Sequence, residues 1–354
     1  MTVQSQAKAQ LTAERCADPE AWDAFVARND GSPFALWGWG DAVETYGHDR
    51  WYVVAKDGDR IVGGVPLFYV RSRLFGSKLV SPPFGERGSI LLADGTDDDV
   101  ASFLLERTKE LAEALDVDFV SLRGGDTDAR RGFEERTRFV TFRAPVASAD
   151  DAWERIKESR RRQITQAADS EMVHDVGDSL ADLREYYRLY LRSVRGHGSP
   201  PHSFAFFRTL WETLGESGNL RMEMLRKDGV LVNAVINLAL GSTVTQWGVV
   251  NDYEYRDLNG GSLLVWKSME WAAESDYDAY EFGRTREGSG VYMFKKSFGG
   301  EKTWYSDLHY FPNPSAELPH PEKDAYEPVK DVWKKLPIPV TRLVGPHLRQ
   351  SISL

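Results

Sequence analysis

A short segment late in the chain, residues 290–300 (GVYMFKKSFGG), places two lysines among large apolar side chains. Lys295 and Lys296 follow Tyr292 and Phe294, and another phenylalanine and a glycine pair come after them. A lysine beside aromatic rings can bury its stem and present its ammonium group to a cleft. There the cation can stabilise a developing oxyanion or bind a phosphate. The alternative is a solvated lysine pair at a strand edge, where alternation points the two side chains to opposite faces.

A glycine-rich turn is the second candidate, because it precedes a predicted helix over 262–275. Its residues are Arg256, Asn259, Gly260, Gly261 and Ser262. The start of a helix offers free backbone N–H groups and the positive end of the helix dipole, and both favour a bound anion. The pattern resembles the Q/R-x-x-G-x-G/A turn of GNAT-type acetyltransferases, which holds the pyrophosphate of coenzyme A, but it lacks the first glycine. The alternative is a glycine-rich helix start without a ligand.

Two further stretches carry groups that could act on a substrate. His202 follows a Gly/Pro-rich turn and is a candidate general base or substrate ligand, with a role in the turn as the alternative. The basic stretch 154–167, within a helix predicted over 150–169, is suited to RNA, nucleotide or anionic-lipid contact, or it presents a solvated basic face. Its basic residues are Arg155, Lys157, Arg160, Arg161 and Arg162.

Composition excludes several classes of function. The 354 residues carry a formal net charge of −10, which disfavours binding to duplex DNA. Cys16 is the only cysteine, so neither a disulfide framework nor a cysteine metal cluster can form. The seven histidines show no metal-binding spacing, and no metal is expected. The N-terminus has no apolar signal region and no run is long enough to cross a membrane, which predicts a cytoplasmic protein, with peripheral membrane contact left open.

The order of predicted elements indicates a repeated α/β unit. Each half of the chain reads as helix, helix, β-hairpin, helix and strand, and the hairpin of the second half extends to three strands. The first hairpin is predicted over 51–56 and 60–72, and its turn is an Asp-Gly-Asp sequence. Two copies of one such unit fit the length of the chain.

Several of these stretches together resemble the FemAB-type aminoacyltransferases, and more closely the FemAB-related proteins associated with exosortase and PEP-CTERM surface-protein systems. In the first half the resemblance rests on the hairpin and on the motifs G-x-x-P-L, S-R-L-F-G and S-x-P-F. In the second half it rests on GSPPHSFAFFRTL, EYRDLNGGSLLVWKSMEWA and YEFGRTREGSGVYMFKKSFGGE. It covers nearly the whole chain, although the coiled-coil arm of some peptidoglycan enzymes has no counterpart here.

The resemblance implies an α/β (α+β) fold of two tandem GNAT-like domains with mixed, mostly antiparallel sheets. The domains are expected at 1–147 and 148–312, the second carrying the acyl-transfer site. A Pro-rich linker and a basic amphipathic tail are expected at 313–354. The reaction would be an acyl transfer without a covalent enzyme intermediate.

The resemblance also assigns roles to single residues. The family motif F-K-x-x-F-G falls on Phe294 and Lys295, so Lys295 is expected to be catalytic and Phe294 to pack against it. Arg284 and Tyr292 are expected to line the cleft, and Glu281 or water to accept the proton of the amine. The glycine-rich turn would bind a phosphate of the donor.

The predicted function is an acyltransferase that moves an acyl or aminoacyl group from an activated ester or thioester to an amine. The donor is acyl-CoA or aminoacyl-tRNA, with no tightly bound cofactor. The acceptor is a lipid- or nucleotide-linked sugar or peptide, in modification of the cell envelope, an exopolysaccharide or surface proteins, similar to peptidoglycan bridge formation. One alternative is an acyl-CoA-dependent GNAT N-acyltransferase acting on a small amine or amino sugar. Another is a noncatalytic protein that binds a glycan or nucleotide sugar.

The tail gives a separate hypothesis. Segment 330–349 is expected either to lie on an anionic membrane or to pack on the first domain. Pro337 and Pro339 exclude one continuous helix. The residues expected on a membrane are the apolar Trp333, Leu336, Ile338, Val340 and Leu343 and the basic Lys334, Lys335 and Arg342.

Overall fold

The computed structural model describes residues 11–72, 75–96, 98–124, 127–318 and 327–352. Three predictions fall partly outside these ranges. They are the lack of a signal region in residues 1–10, the S-R-L-F-G motif through Arg73 and Leu74, and the linker at 319–326.

Thirteen strands and eleven α-helices make up the regular structure of the described residues. The strands are β1 (Thr12–Arg15), β2 (Asp49–Asp57), β3 (Arg60–Ser72), β4 (Gly76–Ser81), β5 (Leu91–Leu92), β6 (Phe119–Leu122), β7 (Glu134–Pro145), β8 (Val173–Gly177), β9 (Leu220–Lys227), β10 (Val230–Leu240), β11 (Thr243–Asn251), β12 (Ala279–Glu281) and β13 (Glu301–Tyr310). The helices are α1 (Pro19–Arg28), α2 (Trp37–Glu44), α3 (Asp98–Ala114), α4 (Ala149–Arg155), α5 (Glu158–Ala168), α6 (Leu180–Gly196), α7 (Phe204–Leu210), α8 (Gly260–Glu274), α9 (Gly290–Lys296), α10 (Glu327–Lys335) and α11 (Ile338–Arg349).

Within the described residues, the chain divides into two compact units. Unit 1 comprises Met1–Trp37, His48–Arg136 and Ser306–Glu317, and unit 2 comprises Gly38–Gly47, Thr137–Tyr305 and Leu318–Leu354. Strand β13 therefore begins in unit 2 and ends in unit 1. The domain ranges expected from the sequence remain a proposal.

Unit 1 is built on a mixed sheet in the order β1-β2-β3-β4-β6-β13, with β5 paired to β3. All of these pairs are antiparallel except β4 with β6. The predicted hairpin is present as β2 and β3, and helix α3 packs on it. The core is apolar and includes Val65, Leu67, Leu104, Leu105 and Val120.

Unit 2 contains a mixed run of strands in the order β7-β12-β11-β10-β9-β8. Strands β9, β10 and β11 form the expected three-stranded antiparallel meander. The two-residue turn between β9 and β10 is Asp228-Gly229, and both residues have positive φ, as a tight hairpin requires. Only β11 and β12 run parallel. Helix α8 packs on β10, and α6 packs on β10 and β11.

The segment that carries Lys295 is a helix, which corrects the predicted alternating strand. Ser289 caps α9, because its hydroxyl accepts a hydrogen bond from the backbone N–H of Tyr292 at 3.0 Å. Gly288 has a φ of +78° and lets the chain turn into the helix. Lys295 and Lys296 are therefore separated by about 100° around a helix rather than by opposite faces of a strand.

Two other predictions are corrected in detail. The single helix predicted over 150–169 is broken into α4 and α5, because Ile156 is extended. The tail forms α10 and α11, which are separated at Pro337 as the prolines predicted, and both helices pack on α6. These contacts with α6 lie within unit 2.

Candidate active site

The sheet of unit 2 opens where β11 and β12 stop pairing. Their parallel register covers three pairs and ends at Thr245 with Glu281, whereas β11 continues to Asn251. Beyond β12, the chain follows β7 instead: the N–H of Phe282 donates to the Phe142 carbonyl at 3.0 Å. The two parallel strands therefore separate, and the edge of β11 that faces the gap is no longer paired with β12.

A bulge bends β11 beside this opening. The register with β10 shifts between Ala234 and Ile236, which leaves an extra residue in β11. Gly248 lies there with a φ of +62°, and its carbonyl accepts a 2.6 Å hydrogen bond from the hydroxyl of Tyr186. A Cβ on Gly248 would lie 2.6 Å from that hydroxyl oxygen, so the close approach requires glycine.

The glycine-rich turn opens α8 after a short 3₁₀ segment. Asn259 has a left-handed conformation with a φ of +57°. A Cβ on Gly260 would lie 2.0 Å from Oδ1 of Asn233, whose amide nitrogen also donates to Asn251 at 2.7 Å. The first N–H groups of a helix have no intrahelical acceptor and lie at the positive dipole end. A Cβ on Gly261 would lie 3.3 Å from Oδ1 of Asn251, so this position is tight but less crowded than Gly260.

A half-buried arginine lies against the same turn. The guanidinium of Arg160 donates to the Ser262 hydroxyl at 2.8 Å and, through Nε, to the Ser297 hydroxyl at 2.8 Å. It also lies 4.4 Å from the ring centroid of Phe294. Within the described chain, every group that it contacts is neutral, and burial lowers the pKa of the Arg160 guanidinium from its usual value. A positive charge without a carboxylate partner thus lies next to the first turn of α8.

The ammonium group of Lys295 lies at the end of β12. Its Nζ donates to the carbonyls of Gly283 at 3.0 Å and Arg284 at 3.2 Å. Both residues belong to the segment that follows β12, where the chain separates from β11. Its neighbour Lys296 is exposed and lies over the ring of Tyr292, 5.8 Å from the centroid. The backbone carbonyls fix the direction of the Lys295 side chain toward the place where the strands separate.

Glu281 is buried in β12 beside this lysine-binding segment. The hydroxyl of Tyr305 in β13 donates a hydrogen bond to its carboxylate. Glu281 pairs in register with Arg143 of β7 and Thr245 of β11. The predicted proton acceptor therefore forms a buried pair with a tyrosine that the sequence did not single out.

The remaining predicted residues have other surroundings. Tyr292 is buried, with its ring 5.2 Å from that of Phe142, so it packs in the core. The guanidinium of Arg284 lies 4.8 Å from the ring of Phe139. The side chain of Arg256 is 76% exposed and is 3.6 Å from the carboxylate of Asp257. Only its backbone carbonyl supports the turn, by accepting from the N–H of Asn259.

His202 lies in a cluster of its own near the tail. Its Nδ1 is 2.9 Å from the hydroxyl of Tyr46, and its Nε2 accepts from Nε of Arg349 at 3.1 Å. The ring stacks on Phe206 at 4.3 Å. Burial, and then the charge of Arg349, hold the pKa of His202 well below its usual value. These contacts make His202 a neutral, packed histidine and do not bring it to Lys295.

Sequence reasoning missed two residues of this arrangement, Arg160 and Tyr305. Arg160 was one of five basic residues in a predicted helix, and nothing in the spacing distinguished it from its neighbours. The signal for Tyr305 was weaker, because strand β13 is distant in sequence from Glu281. Both are brought to the site by tertiary packing.

Residues 153–296 match the sequence model of a family described as "Acetyltransferase (GNAT) domain". This range contains Arg160, the glycine-rich turn and Lys295. No curated protein matches the chain. No helix in the described ranges is long and apolar enough to span a bilayer.

The fold is similar to several solved structures at low sequence identity. The crystal structure of FemX aligns with a TM-score of 0.70 and 14% identity, over 90% of this chain and 100% of that chain. A tandem GNAT protein from the clavulanic acid biosynthesis pathway aligns at 0.54 and 14% identity, over 86% and 100%. L-PGS from Bacillus licheniformis aligns at 0.54 and 12% identity, over 93% and 97%. These likenesses confirm the predicted mixed α/β, GNAT-like fold, whereas the association with exosortase systems remains a prediction.

Proposed function

We propose that the protein is an acyltransferase that moves an acyl or aminoacyl group from an activated ester or thioester to an amine. The GNAT domain match over 153–296 supports the reaction class. The proposal rests mainly on one observation: two cationic side chains lie beside the place where β11 and β12 separate. Arg160 is bonded to the first turn of α8, and Lys295 is held at the end of β12, where β11 and β12 separate.

The donor phosphate binds at the first turn of α8. The N–H groups of Gly260 and Gly261 point outward at the positive end of the helix dipole. Arg160 adds a full charge there, and its Nη2 has no hydrogen-bond partner among the described residues. The planar guanidinium suits a phosphate, since it can donate two parallel hydrogen bonds. Asn259 shapes the turn, and the exposed Arg256 contributes long-range attraction only.

The reactive carbonyl lies in the gap between β11 and the segment after β12. A neutral amine attacks the carbonyl carbon, a C–N bond forms, and negative charge develops on the oxygen. Lys295 stabilises that charge. The C–O bond of an ester or the C–S bond of a thioester then breaks. The proton lost by the amine passes to the leaving group through water or through the buried pair of Tyr305 and Glu281.

Two donors are compatible with this site. Acyl-CoA is the co-substrate that a GNAT fold implies, and its pyrophosphate fits the α8 turn. Aminoacyl-tRNA is the second donor, because the fold is similar to that of FemX. The phosphates at the end of the tRNA offer the turn the same charge and oxygen acceptors. The proposed acceptor is an amine on a lipid- or nucleotide-linked sugar or peptide, in cell-envelope or exopolysaccharide modification.

Thermal unfolding in the presence of each donor tests the proposal. A ligand that binds only the folded protein raises Tm, so acetyl-CoA or a charged tRNA should stabilise the wild type. Gly261→Asp should abolish the shift, because a carboxylate at the turn repels the phosphate. Gly215→Asp is the matched control, since the space around Gly215 is open and it lies outside the turn. A wild type that neither donor stabilises, but a nucleotide sugar does, would instead support a noncatalytic binding protein.

A further inference from the structure

The outward face of helix α11 is apolar. Val340 is 40% exposed, Leu343 73% and Val344 41%, and their spacing of three and four residues places them on one side of the helix. Thr341 and Gly345 lie on the other side and are buried. A surface helix ordinarily buries its apolar side, whereas α11 exposes these three apolar side chains to solvent.

Packing on the inward face fixes this orientation. A Cβ on Gly345 would lie 2.3 Å from Cδ of Pro201, so glycine is required where α11 packs against Pro201. Arg349 reaches the buried His202 with a 3.1 Å hydrogen bond. Rotating α11 to bury Leu343 would break both contacts. The exposure of its apolar side chains is therefore a property of the fold.

Helix α10 also exposes apolar side chains. Val329 and Val332, three residues apart, are 61% and 62% exposed, whereas Trp333 is buried. The junction with α11 is anchored to α6, because Arg195 donates to the carbonyl of Leu336 at 3.3 Å. We use the term tail face for the exposed apolar side chains of the two tail helices: Val329, Val332, Val340, Leu343 and Val344.

The surroundings of the tail face are positively charged. Residues 327–352 carry five lysines or arginines and two acidic residues, in a chain of net charge −10. Lys335 and Arg342 are exposed, and Lys334 is exposed and paired with Asp331 at 3.2 Å. Helix α6, on which both tail helices pack, exposes three arginines at spacings of four. They are Arg184, Arg188 and Arg192, and Arg192 pairs with Asp252 at 3.0 Å.

We propose that the tail face docks on the surface of an anionic lipid bilayer. Exposed valine and leucine side chains can enter the boundary between headgroups and acyl chains, while the flanking basic side chains contact anionic headgroups. The contact is peripheral, because no described helix can span the bilayer. A second copy of the chain fits less well, since a two-fold contact through this face would bring the two positive rims together. The inference does not depend on acyl transfer, and binding is measured without turnover.

Vesicle sedimentation with the full chain tests the proposal. The wild type should sediment with phosphatidylcholine vesicles that contain phosphatidylglycerol, sediment much less with pure phosphatidylcholine, and be released by salt. Leu343→Asp should lower the partition coefficient at least about tenfold, since it places a charge in the apolar contact. Val230→Asp, at a site 45% exposed at the start of β10, is the control and should bind as the wild type does. Thermal unfolding confirms that the variants are folded.

Three results would overturn the proposal. The first is equal sedimentation with neutral and anionic vesicles, and the second is a Leu343→Asp variant that binds like the wild type. The third comes from light scattering: a wild-type dimer that Leu343→Asp converts to a monomer would show that a second copy covers the face. Loss of binding in an Arg184→Ala, Arg188→Ala double variant would support the lipid, because these substitutions remove charge and leave the apolar residues unchanged.

Discussion

Arg160 donates a 2.8 Å hydrogen bond to the hydroxyl of Ser262 and thereby ties helix α5 to the first turn of α8. The same guanidinium bonds to Ser297 at the end of α9 and lies on the ring of Phe294. One side chain thus connects the turn proposed to bind phosphate with the helix that carries Lys295. The geometry of the donor site depends on this connection.

Replacing Arg160 should weaken donor binding more than replacing another arginine of the same helix. Arg160→Lys keeps the charge but replaces the planar guanidinium, whose Nε and Nη1 bond to Ser297 and Ser262, by one ammonium nitrogen that cannot take both positions. Hydrogen bonds to charged groups are worth about 1.5–3 kcal/mol, so a loss of roughly 10- to 100-fold in donor affinity is expected. Arg162→Lys is the control, because Arg162 is exposed and pairs only with Glu158 on its own helix. Calorimetry with the donor that stabilises the wild type measures both, and equal affinities would contradict the role of Arg160.

The two adjacent glycines of the turn should respond differently to alanine. Gly260→Ala places a methyl group 2.0 Å from Oδ1 of Asn233, and such overpacking typically costs about 1–3 kcal/mol. Gly261→Ala meets Oδ1 of Asn251 at 3.3 Å, which a shift of a few tenths of an ångström relieves, and it should cost less than about 1 kcal/mol. Urea unfolding measures the difference. If both variants lost the same stability, the close approach of Asn233 would not be what requires glycine.

A buried polar network in unit 2 should be sensitive to loss of one hydroxyl. Tyr280 donates to Oδ1 of Asn237 at 3.0 Å, and the amide nitrogen of Asn237 donates to Ser268 at 2.9 Å. Tyr280→Phe leaves the buried carbonyl oxygen short of a donor, at a cost of about 1–3 kcal/mol of unfolding free energy. Tyr253→Phe removes a hydroxyl that bonds to Nε2 of His197 at 2.6 Å, but this site is 52% exposed and water can replace the partner, so the change should stay below about 0.5 kcal/mol. Similar losses in both variants would argue against the network.

Stability should fall as the pH decreases through the histidine range. Burial holds the pKa of His202 below its usual value, so the folded protein keeps this histidine neutral. The unfolded chain takes up the proton below about pH 6.5, and it therefore binds more protons than the folded protein there. This histidine can lower the unfolding free energy by up to about 1.4 kcal/mol per pH unit. Burial of His197 acts in the same direction.

Urea unfolding between about pH 7 and pH 5 measures this slope, and His202→Gln should reduce it. His347→Gln makes the same substitution at an exposed site of the tail and is the control for the substitution itself. A wild-type stability that is flat over this range would contradict the neutral state of His202.

The fold could largely be predicted where the residues of a turn and the pattern of the flanking strands favour the same structure. The Asp228-Gly229 pair adopts positive φ between two β-rich runs, so both the turn and the strands were predictable. Segment 290–296 was misjudged, because four apolar residues in seven suit either a strand or a helix. The decisive signal was Ser289, whose hydroxyl caps α9 and starts the helix.

The positions of side chains in the site and the tail depended on tertiary packing. Arg160 is distinguished from its basic neighbours only by Phe294 and Ser262, which are more than 100 positions away in sequence. In the tail, the sequence predicted Trp333 on the outward face, but it is buried, whereas Val344 is exposed. The break at Pro337 lets each tail helix take its own rotation, and contacts with α6 determine it.

The proposed role of Lys295 in acyl transfer is tested most directly by comparing Lys295→Ala with Lys296→Ala. Amine-dependent release of coenzyme A from acyl-CoA, or of free tRNA from aminoacyl-tRNA, is measured with a panel of lipid- and nucleotide-linked amines. We expect the wild type and Lys296→Ala to consume one donor at similar rates, and Lys295→Ala to be slower by about 100-fold or more, as for loss of an oxyanion donor. Equal rates for the two lysine variants would contradict the role of Lys295. No amine-dependent release by the wild type would contradict acyl transfer itself.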